Sequence, residues 1–218
     1  MTIPEALQAI QAFQGDSLTA SLALIETAIV GLGVNQLETF CEDRSINHSF
    51  MVSAASIKKV AGQINVIIHA AGILCSLPHI LEPGEVVESV SLGAGNAGRH
   101  FDLQTNRRVA EYKFIDWQGG PESIRQNALF KDFFELAEFE TAKMKCLYVV
   151  GTTIPMRFFS GGRALTSVLS RFPTILDRLQ SKYGTEIRQV RDYYQLKKND
   201  VEIVDVSPHI GRETWHQV

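Results

Sequence analysis

Apolar residues recur every three or four positions over the N-terminal part of the chain, the period of an amphipathic helix. The recurring positions are Leu7, Ile10, Phe13, Leu18, Leu22, Ile25, Ile29 and Leu32. Asp16 or Ser17 is suited to cap the second helix, and Gly31 and Gly33 are suited to end it. A longer helix is predicted over residues 54–76. Because it is apolar on most faces, we expect it to be covered on most faces, between a sheet and the earlier helices.

Beyond residue 83 the pattern changes to short apolar or alternating segments separated by turn residues, which is typical of strands. Three strands that form an antiparallel meander, then a buried central strand and a last strand, are predicted over 85–92, 100–104, 108–116, 145–152 and 201–206. Helices are predicted over 121–142 and 162–183, and a solvated turn over 192–200. Trp117, Tyr193 and Tyr194 are suited to stacking on bases, but packing is the favoured role.

The predicted order is helix, three strands, helix and strand, which indicates an α/β protein. The sequence has no internal repeat or low-complexity linker. We therefore expect an N-terminal helical extension, residues 1–53, packed on an α/β domain, residues 54–218. Within that domain, a core over 54–152 is followed by a helix and strand appendage over 153–218.

Composition supports an ordinary folded domain. The chain has 218 residues, of which 45% are hydrophobic and 21% charged, so disordered and collagen-like classes are excluded. Cys41, Cys75 and Cys146 have no CxxC spacing, which excludes a disulfide scaffold and predicts buried free thiols in a reducing compartment.

The net charge of −3 excludes a strongly basic nucleic-acid coat protein, but not a nucleic-acid enzyme. Residues 1–98 hold three basic and nine acidic residues, whereas residues 99–218 hold eighteen basic and fifteen acidic residues. The mildly basic C-terminal half is suited to face a polyanion, and a solvated surface is the alternative.

One apolar stretch, residues 64–81, has to be weighed as a membrane segment. It is interrupted by Asn65, His69, Pro78 and His79, so its uninterrupted part is short for a hydrocarbon core about 30 Å thick. A buried helix is the prediction. The first fourteen residues also lack the basic start and apolar run of a secretory signal. We expect a soluble intracellular protein, cytoplasmic or associated with the nucleoid or nucleus, with no membrane partner.

The glycines of residues 93–98 match the GxGxxG pattern of dinucleotide-binding proteins. That pattern needs a helix whose N-terminus begins at the last glycine. Here a short alternating segment and a turn follow Gly98 instead. A dinucleotide-dependent oxidoreductase is therefore the least favoured alternative, and a hairpin connection is the prediction.

The third predicted strand carries the candidate chemistry. Alternate residues of a strand share a face, so Val109, Glu111 and Lys113 point together. Asp102 lies nine residues before Glu111 on the preceding strand, and a turn at Asn106 would bring the two side by side. Two neighbouring carboxylates can share a hard divalent cation, and a lysine beside them can orient a water or neutralise a phosphate. A surface ion pair on an edge strand is the alternative.

Phe101-Asp102, Glu111-Tyr112-Lys113 and the element order over residues 54–152 resemble the PD-(D/E)XK nuclease superfamily. The resemblance implies a restriction-endonuclease-like core, an α-β-β-β-α-β mixed sheet flanked by helices. It also implies an endonuclease that hydrolyses phosphodiester bonds with Mg²⁺ or Mn²⁺. Asp102 and Glu111 would bind the metal, and Lys113 would assist the attacking water. Phe101 stands where the family's motif has proline.

The resemblance also implies an additional upstream acid, for which Glu88 is the candidate as a further metal ligand and Glu85 the weaker alternative. A polar residue on the following helix often completes the site. Gln126 is the candidate, because it lies four residues before Phe130 at the start of an apolar stripe. An ordinary polar residue at a helix end is the alternative. Arg125 and Lys131, on neighbouring faces, are expected to contact phosphates.

DNA is the expected partner, because the family mostly cuts DNA, and RNA is the alternative. The apolar N-terminal helices offer a surface for a homodimer. A second reading keeps the nuclease fold but assigns it to a binding or assembly module without catalysis. The low net basicity favours this second reading, since DNA-cutting enzymes usually present a more positive groove.

Overall fold

The structure, a computed structural model, describes residues 2–93, 100–115, 117 and 122–211. The chain forms two compact units, Met1–Asn65 and Val66–Val218. The boundary between them falls within one long helix, α4 (His48–Ile80).

The first unit is helical, as its apolar period predicts. It holds the start of α4 and three shorter helices, α1 (Ile3–Gln14), α2 (Leu18–Ile29) and α3 (Val34–Asp43). Thr2 and Glu5 form a capping box at the start of α1, in which each side chain accepts a hydrogen bond from the other's backbone N–H. Ser17 caps α2, as predicted, by accepting a hydrogen bond from the backbone N–H of Ala20.

The second unit is built on a mixed sheet. Within the described residues its five strands lie side by side in chain order: β1 (Val87–Val90), β2 (Leu103–Thr105), β3 (Arg108–Lys113), β4 (Met144–Val149) and β5 (Glu202–Asp205). The first three form the predicted antiparallel meander, while β4 is parallel to β3 and β5 is parallel to β4. The prediction of an α/β protein with a mixed sheet flanked by helices is confirmed.

Helices connect and follow the later strands. They are α5 (Ser123–Glu138), α6 (Thr153–Phe159), α7 (Leu165–Val168), α8 (Pro173–Tyr183) and α9 (Val190–Lys197), and a short 3-10 helix (Ser207–His209) follows β5. The predicted solvated turn over 192–200 is wrong, because most of it belongs to α9. Tyr193 of that helix is fully buried against Phe133 and Phe134 of α5, so its aromatic ring packs in the core. Trp117 is buried as well.

Helices pack on both faces of the sheet. On one face Ile73 and Leu77 of α4 pack against Ala110 and Tyr112 of β3. On the other face α5 and the helices that follow it pack against residues such as Val109. The central strand β3 is therefore buried on both faces along most of its length.

Helix α4 is less covered than its apolar sequence predicts. Only 17% of its most apolar eighteen-residue window is buried, and Ile67 and Leu74 are exposed. The expectation that it is covered on most faces is therefore wrong, because it meets the sheet through the face that carries Ile73 and Leu77. By length and composition, α4 is also the one helix in the described part of the chain that could cross a membrane.

The three cysteines are free, but they are not uniformly buried. Cys146 of β4 is buried in the core, Cys41 is half-buried, and Cys75 is exposed. The expectation of three buried thiols is wrong for Cys75, since it lies on the poorly covered helix α4.

A buried ion pair fixes the start of the meander. Arg108 binds the Glu85 carboxylate through two parallel hydrogen bonds, from Nε at 2.6 Å and from Nη2 at 2.5 Å. The Thr105 hydroxyl donates to the same carboxylate at 2.6 Å, and Arg108 also donates to the Tyr148 hydroxyl at 2.8 Å. The side chains of Glu85 and Arg108 are 0% and 6% exposed. Burial by itself would raise the pKa of Glu85, but the bonds from Arg108 and Thr105 outweigh it and lower the pKa to about 2.

This pair predicts how stability depends on pH. The pKa of Glu85 lies below its ordinary value of 4.5 in the folded chain, so its contribution is full above about pH 5 and is lost as the pH falls toward 2. A shift of one pKa unit corresponds to about 1.4 kcal/mol. Lowering the pKa of Glu85 from 4.5 to about 2 therefore stabilises the fold by about 3 kcal/mol. Urea unfolding should show Glu85→Gln to be less stable than the unmodified chain by about that amount at pH 7, and this difference should shrink steadily below pH 5.

The matched control is Glu82→Gln, since Glu82 is half-exposed and pairs with the exposed Arg107. Its unfolding free energy should follow that of the unmodified chain at each pH. A difference between Glu85→Gln and the unmodified chain that stays constant from pH 7 to pH 2.5 would contradict the assignment.

Candidate functional site

Asp102 and Glu111 meet where β2 and β3 pair. Leu103 lies opposite Ala110, and Gln104 lies opposite Val109, so the same register places Asp102 across from Glu111. Residues directly opposite in an antiparallel pair project from the same face. Asp102 precedes the first residue of β2 rather than lying within the strand, and its Oδ2 atom accepts a hydrogen bond from the backbone N–H of Tyr112 at 3.0 Å.

The two carboxyl groups influence each other's ionisation. Burial, reinforced by the negative charges of Asp132 and Asp102, raises the pKa of Glu111 to about 9. Burial alone would also raise the pKa of Asp102, but hydrogen bonds from His69 and the Tyr112 N–H lower it. These surroundings therefore favour the neutral form of Glu111 and the charged form of Asp102.

Lys113 projects from the same face of β3 as Glu111 and forms an ion pair with Asp132 of α5. Asp132 is 6% exposed and Lys113 is 21% exposed, so the pair is largely shielded from solvent. Burial would lower the pKa of Lys113, but the carboxyl groups of Asp132, Glu111 and Asp102 outweigh it and raise the pKa. Lys113 is therefore held as an ammonium ion, and β3 is a central strand. The reading of a surface ion pair on an edge strand does not fit this position.

A histidine on the opposite helix completes the surroundings of Asp102. His69 Nε2 of α4 lies 3.3 Å from Asp102 Oδ1, and the His69 ring packs edge-on against Phe114. A side chain at Gly72 would come within 2.5 Å of the Phe114 ring, so glycine allows α4 to approach the end of β3 this closely.

Sequence reasoning missed both Asp132 and His69. Asp132 lies beside Phe133 and Phe134 in a buried stretch of α5, and an acid among buried aromatic residues is a signal that it has a charged partner. His69 interrupts the apolar stretch of α4. In each case the sequence showed an unusual polar residue but not the partner across the fold.

The structure does not bring Glu88 to Asp102 and Glu111. Two residues of β1, Val87 and Ser89, pair with consecutive residues of β2, so Glu88 occupies a β-bulge. Its carboxylate accepts hydrogen bonds from Lys143 at 2.6 Å and Gln104 at 3.2 Å. The weaker alternative, Glu85, is the buried partner of Arg108.

The three polar residues expected on α5 each contact another side chain of the protein. Gln126 Oε1 accepts a hydrogen bond from Arg163 Nη1 at 2.6 Å. Arg125 pairs with Glu122. Lys131 Nζ lies 3.3 Å from Asp132 Oδ1, so this lysine shares the acid that holds Lys113.

The glycine-rich segment that matched a dinucleotide-binding pattern lies mostly outside the described residues, which resume after Gly93 at His100. The next element in the chain is strand β2 (Leu103–Thr105). A dinucleotide site of the usual kind needs a helix at this point.

The donor set at Asp102 and Glu111 suits a hard divalent cation. Among the described residues, no group of three or more His, Cys, Asp or Glu side chains is arranged to hold a metal ion. Mg²⁺, however, commonly keeps several waters and binds proteins through only one or two carboxylates together with substrate phosphates. Two carboxyl groups that lie opposite each other in the β2–β3 register can provide that pair of ligands.

No protein-family model, curated protein or solved structure matches this chain. The resemblance carried by Asp102, Glu111 and Lys113 therefore remains a prediction.

Proposed function

We propose that this chain is a metal-dependent endonuclease that hydrolyses phosphodiester bonds, with DNA as the expected substrate. The observation that carries the proposal is the placement of Asp102 opposite Glu111 where β2 and β3 pair, with Lys113 on the same face of β3. The three residues correspond to the acid pair and lysine of the PD-(D/E)XK motif, and the fold supports the proposal by placing the two acids opposite each other although they are nine positions apart in the sequence.

The arrangement of the sheet supports a restriction-endonuclease-like core. Helix α4 precedes an antiparallel meander, and α5 connects β3 to the parallel strand β4. This matches the α-β-β-β-α-β order expected of that fold, with Asp102 just before the second strand of the meander and Glu111 in the third. Strand β5 extends the sheet beyond the core.

Asp102 and Glu111 would together hold one Mg²⁺ or Mn²⁺ ion through their carboxylate oxygens. When bound, such an ion polarises a phosphoryl oxygen and lowers the pKa of a water molecule. The backbone N–H of Tyr112 and the ring of His69 orient the Asp102 carboxylate, so this ligand is fixed before substrate arrives.

Lys113 contributes positive charge. Its ammonium group has no lone pair with which to remove a proton from water, so its role is to orient the water and to neutralise charge on the phosphate. The reaction forms one bond between phosphorus and the water oxygen and breaks one phosphorus–oxygen bond of the diester. The proton lost by the water is balanced by the proton gained by the leaving oxygen.

The test is cleavage of plasmid and single-stranded DNA with Mg²⁺ or Mn²⁺. Asp102→Asn and Glu111→Gln should each lower the rate by about 100-fold or more, since each removes a ligand of the ion that stabilises the transition state. Glu88→Gln is the matched control and should cleave within about threefold of the unmodified chain. Its carboxylate pairs with Lys143 instead of the acidic pair.

Equal loss of activity in Glu88→Gln would contradict this assignment of ligands. If the unmodified chain binds nucleic acid but cleaves none under any of these conditions, the enzyme proposal fails. The binding or assembly module then becomes the better reading.

A further inference from the structure

Positive charge is concentrated in the helices that follow β4. Residues 153–197 hold eight basic and three acidic residues, whereas the rest of the chain holds thirteen basic and twenty-one acidic residues. The net charges of the two parts are therefore +5 and −8. Positive charge is thus concentrated in one segment of a chain whose net charge is −3. Such a distribution of charge favours a local binding site for polyanions.

Backbone pairing brings three of these arginines together. Leu165 N–H donates to the carbonyl of Arg188 at 2.9 Å, and Val190 N–H donates to the carbonyl of Arg163 at 2.9 Å. Arg191 N–H donates to the carbonyl of Gly161 at 3.3 Å. The loop before α7 and the loop before α9 thus form one surface, which we call the arginine patch: Arg163, Arg188 and Arg191.

Asp192 lies beside this patch. Its carboxylate accepts hydrogen bonds from the backbone N–H groups of Arg188 at 3.1 Å and Gln189 at 2.8 Å, and it lies 3.9 Å from Arg191 Nε. Asp192 therefore orders the loop that carries two of the arginines. Arg188 and Arg191 remain exposed.

Helix α5 connects the patch to the candidate active site. Arg163 donates to Gln126 in the first turn of that helix, and Gln126 precedes Asp132, the partner of Lys113, by six residues. Six helical residues span about 9 Å, which is roughly three nucleotide steps of 3.4 Å along a duplex. A strand cleaved beside Lys113 would have its neighbouring phosphates within reach of the arginines.

We propose that the arginine patch binds the phosphodiester backbone of the nucleic-acid substrate beside the cleavage site. This inference rests on the proposed function for its choice of partner. The guanidinium groups match phosphate oxygens in shape and charge, and contacts of this kind fix the position of a strand without reading its sequence. Gln126 joins the patch to α5 by holding Arg163.

The test is binding of a short DNA duplex in EDTA, where metal-dependent cleavage cannot occur. Arg188→Gln with Arg191→Gln should weaken binding about tenfold at 100 mM salt, and should reduce the slope of log K against log salt by about two. The matched control is Arg178→Gln with Lys182→Gln. These residues belong to the same basic segment but are ion-paired with Glu135 and Glu138, toward the far end of α5. The control should bind within about threefold of the unmodified chain.

The lysine double variant, Arg188→Lys with Arg191→Lys, should keep the salt slope, since it keeps the charge. Equal weakening in the test and control variants overturns the proposal, as does a salt slope below about one for the unmodified chain. If Arg188→Gln with Arg191→Gln weakens binding and the control variant does not, the patch is supported, whether or not the unmodified chain cleaves DNA with Mn²⁺. A chain that binds through the patch but does not cleave would refute only the nuclease proposal.

Discussion

Replacing Arg108 with methionine should lower the free energy of unfolding by about 3–5 kcal/mol, because it leaves a buried carboxylate without its charged partner. Glu85 accepts two hydrogen bonds from this arginine, and its side chain is 0% exposed. The Thr105 hydroxyl and the backbone N–H of Glu82 would remain as donors, but neither carries a positive charge. Urea unfolding at pH 7 measures the loss.

The chain offers a close control for this experiment. Arg107 is the preceding residue and pairs with Glu82, but these side chains are 44% and 53% exposed. Arg107→Met should therefore change stability by less than about 1 kcal/mol. The double variant Glu85→Leu with Arg108→Met removes both buried charges and should recover most of the loss. If Arg107→Met and Arg108→Met lower the free energy of unfolding equally, burial of the ion pair does not determine the loss of stability.

The antiparallel meander could be predicted from sequence because its signals are local. Alternating residues and the turn at Asn106 indicate a meander, and that turn is secured by the Asn106 side chain, which accepts a hydrogen bond from the Val86 N–H and donates to the Gly84 carbonyl. Helix α9 was missed because its polar residues resemble a solvated turn. Burial of Tyr193 depends on the distant aromatic residues of α5, and sequence spacing does not reveal that contact.

The acidic pair could also be predicted, since strand alternation and one tight turn are enough to bring Asp102 alongside Glu111. Glu88 pairs with Lys143 and Gln104 instead, because it occupies a β-bulge, and simple strand alternation does not anticipate the change of side-chain direction at a bulge. Asp132 and His69 lie on helices, and the rotation of a helix about its axis is decided by packing. The contacts of Asp132 with Lys113 and of His69 with Asp102 depend on that packing, so sequence spacing does not reveal them.

Lys113 should prove to be the residue whose charge matters most for cleavage. Lys113→Met keeps the length and apolar character of the side chain but removes the ammonium group, and we expect the single-turnover rate with saturating Mn²⁺ to fall by about 100- to 1,000-fold. Binding of Mn²⁺ should change much less, because the carboxyl groups of Asp102 and Glu111 remain. The same preparation should unfold cooperatively, which would show that the loss is chemical and not structural.

Lys131 provides the control, because it is the other lysine within 4 Å of Asp132 among the described residues, at 3.3 Å. It is 41% exposed and projects from α5, whereas Lys113 projects from β3 beside Glu111. Lys131→Met should therefore lower the rate by less than about fivefold, through weaker phosphate binding alone. If both lysine variants lose activity equally, general attraction for the substrate explains the effect. If Lys113→Met retains its rate, Lys113 has no part in the chemistry, and its ion pair with Asp132 serves only the fold.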